Sequence, residues 1–128
     1  MICLDTDILV DCLRGLLPAA EWLKQVDMEA YFVPGIVAME LVAGARDKKS
    51  LTEMLRFLSA LNIAWPGETE MQMAYVLQQQ YRFAAGLSIP DCIIASMAMQ
   101  RSAALCSFNN KHFGMIANLS IMQPYERG

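Results

Sequence analysis

Five acids stand where chemistry is possible. Asp5, Asp7 and Asp11 crowd the stretch MICLDTDILVDCLRG, Glu40 lies inside VAMELVAGA, and Asp91 follows Pro90 at the head of DCIIASMAMQR. The surrounding residues are mostly apolar, and a carboxylate is rarely buried without a partner. Local explanations exist for each. Asp5 and Asp91 both suit a helix N-cap, and Glu40 could be a surface glutamate at the edge of a largely buried helix. Its neighbours leave that helix almost no polar face, which favours a position toward the interior or a cleft. If Asp5, Glu40 and Asp91 converge, their charges repel at short range. Either their pKa values rise or a cation neutralises them. Hard oxygen ligands with no His or Cys beside them select Mg²⁺ or Mn²⁺.

The stretch CSFNNKHF adds neutral oxygens at Ser107 and Asn109. These can ligate a metal, bridge through water or orient an acid; equally, Asn is ordinary turn chemistry. Lys111 and His112 follow and could face a phosphate. A general-base role for His112 competes with a structural one. Zinc is disfavoured, because His112 is the sole histidine and Cys3, Cys12, Cys92 and Cys106 are scattered.

The elements that must position these groups alternate between strand and helix. Ile2 to Leu4 reads as a buried strand leading into Asp5. A helix follows over Ile8 to Leu13, with Gly15 at its end, and a second opens at Pro18. AYFV (30–33) is a second strand. GIVAMELVAGA is a helix ending near Gly44. Asp47 or Ser50 caps the next helix, which runs to about Leu61. NIAW (62–65) is a third strand, Thr69 caps a long helix to Gly86, and Pro90-Asp91 opens another. AALCSF (103–108) is a fourth strand, KHFGMI one helical turn, and LSIMQ (119–123) a last strand. Such alternation predicts an α/β fold, a mostly parallel sheet covered on both faces. Ligands in these folds bind beyond the carboxyl ends of the strands.

The totals agree with one domain over residues 1–128. Hydrophobic residues make up 55% and charged residues 18%, more apolar than an average soluble domain. The surplus points to a partner or a self-interface. No apolar run reaches the length of roughly 20 residues that a membrane span requires. The first residues lack the basic start of a signal peptide, and the cysteines read as buried thiols in a reducing, cytoplasmic setting. A net charge of −3 does not favour nucleic-acid binding by bulk charge, so any such role must come from a local site.

LDTDILVD, VAMELVAGA, GLSIPDCIIASMA and SFNNKHF, in that order, resemble the motifs of PIN-domain ribonucleases, most closely the VapC-type toxins of type II toxin–antitoxin systems. The resemblance spans nearly the whole chain. It implies a three-layer α/β/α sandwich and Mg²⁺-dependent cleavage of RNA, with Mn²⁺ as a substitute. It places the family acids on Asp5, Glu40 and Asp91 as metal ligands and the fourth position on Asn109, where this chain has the neutral version. Asp7 departs from the Asn or Ser common two residues after the first acid. The resemblance also implies a homodimer, a small cognate antitoxin, and hetero-oligomers with it on DNA. Transfer RNA or ribosomal RNA is the implied target. Arg14, Arg46, Lys48, Lys49 and Lys111 are candidates for RNA backbone contacts. Two other readings stay open: a non-catalytic PIN-like binding domain, and a phosphoryl-accepting acidic pocket, which should carry a lysine at the end of a late strand.

Overall fold

The computed structural model describes residues 1–128. Its centre is β1 (Ile2–Leu4), flanked by β2 (Tyr31–Pro34) and β4 (Ala104–Cys106). β3 (Ile63–Ala64) pairs with β2, and β5 (Ile121–Met122) with β4. The order is β3-β2-β1-β4-β5 and every pairing is parallel. The sheet is therefore wholly parallel, where the sequence led us to expect a mostly parallel one.

A parallel sheet must be covered on both faces. α1 (Thr6–Leu13), α2 (Leu17–Gln25), α3 (Gly35–Ala43), α4 (Lys48–Ser59), α5 (Glu68–Ala85), α6 (Ile89–Gln100) and the single turn α7 (Asn110–Phe113) do this. The result is the expected three-layer α/β/α sandwich. α6 shows the principle most plainly. Cys92 to Ala98 are all buried, as a helix that is apolar on every side requires. Leu4, Val33, Val37, Ile94, Met97 and Leu105 join one continuous core, each worth roughly 1.5–3 kcal/mol of burial.

Side chains set the starts of α4, α5 and α6. Asp47 and Ser50 form a reciprocal capping box at α4, so the two candidate caps act together. α5 does not begin on Thr69. Gly67 is its N-cap, with the Gly67 N–H donating to Glu70 Oε1 at 2.8 Å. α6 begins earlier than Pro90-Asp91, with Ser88 as N-cap.

The chain places β2 and β3 on one side of β1, then returns to place β4 and β5 on the other. Strand order thus reverses between β1 and β4. That switch point is where open α/β sheets leave a crevice for ligands. Asp5 follows β1 and Ser107 follows β4, so both stand at its mouth.

Candidate active site

Asp5 is both of the things its sequence position allowed. Its Oδ1 accepts from the Thr6 N–H at 2.8 Å, capping α1, and its Oδ2 accepts from Ser107 Oγ at 2.7 Å. Only 6% of the residue is exposed. Burial, then the neighbouring charge of Asp7, push its pKa up from 3.8 to about 6, against the lowering effect of these hydrogen bonds. Asp7 binds across to the β4 loop, accepting from the Phe108 N–H at 2.8 Å through Oδ2. Its Oδ1 is buried with no hydrogen-bond partner, and burial raises its pKa as well.

The other acids arrive from separate elements. Glu40, on α3, is not directed into the interior. It is exposed, and its Oε1 accepts from Thr6 Oγ1 at 2.9 Å. Asp91 lies in the first turn of α6, where its N–H donates to Ser88 Oγ at 3.2 Å and its Oδ2 accepts from the Ser88 N–H at 3.3 Å. Asn109 donates from its backbone N–H to Ser107 Oγ at 2.9 Å, and its Nδ2 donates to His112 Nδ1 at 3.1 Å. The same His112 nitrogen lies 3.5 Å from Asp91 Oδ2.

Asp5, Asp7, Asp11, Glu40, Asp91 and Asn109 line one cleft of about 370 Å³ with Thr6, Val10, Arg14 and Arg127. The four motif positions therefore share a space. They do not form a closed cage: no three His, Cys, Asp or Glu side chains are drawn into a cluster able to grip an ion. The donor set nonetheless suits a hard divalent cation. It offers carboxylate oxygens and an amide, it leaves one buried oxygen of Asp7 unpartnered, and no lysine neutralises it.

A PIN domain family model matches residues 2–119. The chain belongs to the PIN domain family. Among curated proteins, this PIN domain is 27% identical over 121 residues to Ribonuclease VapC10 of Mycobacterium tuberculosis, covering 93% of this chain and 90% of that one. Among solved structures it resembles a toxin–antitoxin complex from Klebsiella pneumoniae, with 27% identity, TM-score 0.79, and 98% and 99% of the two chains covered. It also resembles VapBC2 from Rickettsia felis bound to a DNA fragment from their promoter, with 26% identity, TM-score 0.77, and 95% and 98% covered.

Two groups in this PIN domain's cleft escape a motif reading. Thr6 holds Glu40, and its value is invisible until α3 is placed beside α1. Arg127 belongs to the polar residues after β5. Of the five cations expected at the rim, only Arg14 lines the cleft. Nothing in the sequence pointed to Arg127, whose partner is the distant Asp11. Asp11 Oδ2 accepts from Tyr125 Oη at 2.8 Å and from Arg127 Nε at 2.9 Å. Asp11 is thus compensated within the chain, while Asp5 receives only neutral donors.

Proposed function

We propose that this PIN domain is a metal-dependent endoribonuclease, the toxin of a toxin–antitoxin pair, in which Asp5, Glu40 and Asp91 hold Mg²⁺ and Asn109 completes the site. The observation that carries the reading is the meeting of all four motif positions in one cleft at the switch point, with Asp5 buried against neutral donors only and one buried oxygen of Asp7 left without a partner. When bound, Mg²⁺ or Mn²⁺ supplies an activated water and offsets the charge that develops on a phosphoryl oxygen.

The chain's own residues do the positioning. Ser107 Oγ fixes the Asp5 carboxylate against rotation. Thr6 Oγ1 steers Glu40 over the cleft, and the Ser88 box holds Asp91 at the start of α6. Asn109 and His112 brace one another beside Asp91. Arg14 is available to an RNA phosphate at the mouth.

The likeness to toxin–antitoxin structures supports a small antitoxin as partner, and the Rickettsia felis likeness supports DNA binding by the pair. An apolar groove of about 450 Å³ between α3 and α4, lined by Met39, Val42, Leu55 and Trp65, offers that antitoxin a seat. Exposed Met71, Tyr75, Val76 and Phe83 on α5 support a homodimer. No helix is long and apolar enough to cross a membrane.

The test is cleavage of transfer and ribosomal RNA by the purified protein. Activity should require Mg²⁺ or Mn²⁺, vanish in chelator, and vanish in Asp5→Asn. Cleavage that ignores chelator would refute the metal role; cleavage of neither RNA would refute the ribonuclease. Expression should arrest bacterial growth, and co-expression of the neighbouring small gene should restore it.

A further inference from the structure

Five carboxylates and two guanidinium groups line the cleft, and Arg127 has no part in the chemistry proposed above. Its anchorage is unusual for a side chain that is 45% exposed. Nε donates to Asp11 Oδ2 at 2.9 Å, and the guanidinium carbon lies 4.0 Å from the centroid of the Phe108 ring. Tyr125 reinforces the arrangement. Its hydroxyl donates to the same Asp11 oxygen at 2.8 Å, and its ring packs on Phe108 at 5.1 Å and on Trp22 at 6.2 Å. The segment after β5 is therefore fastened both to α1 and to the turn that follows β4.

This anchorage uses one nitrogen and one face of the guanidinium. Nη1 and Nη2 donate to no protein group. A planar fork held in this way loses little side-chain freedom when it meets an anion, and its paired N–H groups match phosphate oxygens. The cleft that needs such help is the acidic one. Asp5, Asp7, Glu40 and Asp91 repel a polyanion, and only Arg14 and Arg127 among the lining residues are cationic.

We propose that Arg127 is a substrate-positioning residue whose terminal nitrogens donate to an RNA phosphate beside the scissile one, with Asp11 and Phe108 holding the fork in place. The proposal rests on the ribonuclease reading. It deepens that reading with a contact supplied from outside the four motifs. A staple that merely ties down the segment after β5 is the competing role, and the two differ in what salt does to the reaction.

The experiment compares wild type, Arg127→Gln and Arg127→Lys with Mg²⁺ present, on a labelled single-stranded RNA of mixed sequence. Gln retains a donor for Asp11 and loses the charge; Lys retains the charge and loses the fork. Arg127→Gln should raise KM about tenfold with kcat nearly unchanged, as loss of a charge-assisted hydrogen bond predicts. The slope of log(kcat/KM) against log salt should become shallower by ~0.7, the share of one single-strand phosphate contact. Arg127→Lys should recover that slope and only part of KM. If wild type cleaves RNA and Arg127→Gln keeps its KM and salt slope, or loses only thermal stability, Arg127 is a staple and the inference is overturned. If wild type cleaves no RNA, the ribonuclease reading falls and this inference falls with it.

Discussion

Two nearly buried carboxylates in this molecule meet opposite treatment. Glu70, 7% exposed, receives Arg101 through two hydrogen bonds of 2.7 and 2.9 Å and the Gly67 N–H at 2.8 Å. The Arg101 pairing, first of all, holds its pKa below the ordinary value. Asp5, 6% exposed, receives only neutral donors and sits beside Asp7, and its pKa rises to about 6. One region completes its charge balance within the chain. The other gives Asp5 no cationic hydrogen-bond partner within the chain. On the proposed function, similar burial with opposite compensation is what separates the structural acid from the functional one.

Substitutions at the two acids should have opposite effects. The largest effect expected is on cleavage. Asp5→Asn should lower kcat/KM by at least ~10²-fold, beyond the loss typical of groups that merely support a metal ligand, whereas Glu70→Gln should leave cleavage near wild type where the protein is folded. Chemical denaturation in chelator should give the reverse order. Glu70→Gln should destabilise by about 1–2 kcal/mol, allowing for the partial exposure of Arg101. Asp5→Asn should stabilise by about 1–2 kcal/mol, because it removes a charge held at a desolvation cost. Destabilisation by both would show that Asp5 is structural.

Proton linkage sharpens the same contrast. The Asp5 pKa is raised in the folded state, so its contribution is present in full below 3.8 and is lost as pH rises through about 6. The Glu70 pKa is lowered, so its contribution is present above 4.5 and is lost as pH falls through the folded value. In chelator, the stability gap between wild type and Asp5→Asn should close as pH drops from 7 toward 4. A gap that is constant with pH would contradict the deficit at Asp5. A smaller effect is expected at Thr6. Thr6→Val frees Glu40 without touching a carboxylate, and should cost cleavage about tenfold, measured as kcat/KM at saturating Mg²⁺; an unchanged value would remove Thr6 from the site.

Much of this was legible in the sequence, for a local reason. β1, β2 and β4 are short apolar runs, the first ended by Asp5 and the second by Pro34-Gly35, and α1 and α4 carry an Asp at their caps. Boundaries failed at α5 and α6. Gly67 with Glu70 and Ser88 with Asp91 place the helix start upstream of Thr69 and of Pro90. Asp5 and Asp91 taken singly were each open to a helix cap, and only their combination with Glu40 pointed to a site. Glu40 stood out by its apolar neighbours, which pointed to the interior or a cleft; it lines the cleft and is exposed there. Arg127 was illegible for a different reason. Its partner Asp11 lies 116 positions away, and nothing near either residue requires the other. Contacts made by chain closure leave no periodic trace.

On the proposed function, a divalent cation fills the deficit around Asp5 and Asp7. Calorimetric titration of the purified protein with Mn²⁺ tests it most directly, on wild type and Asp5→Asn, at pH 7.5 and pH 5. The account predicts saturable binding by wild type at pH 7.5, clear weakening at pH 5 as Asp5 takes up a proton, and loss of that binding in Asp5→Asn at both. Binding of equal strength in the two proteins, or binding indifferent to pH, would contradict it.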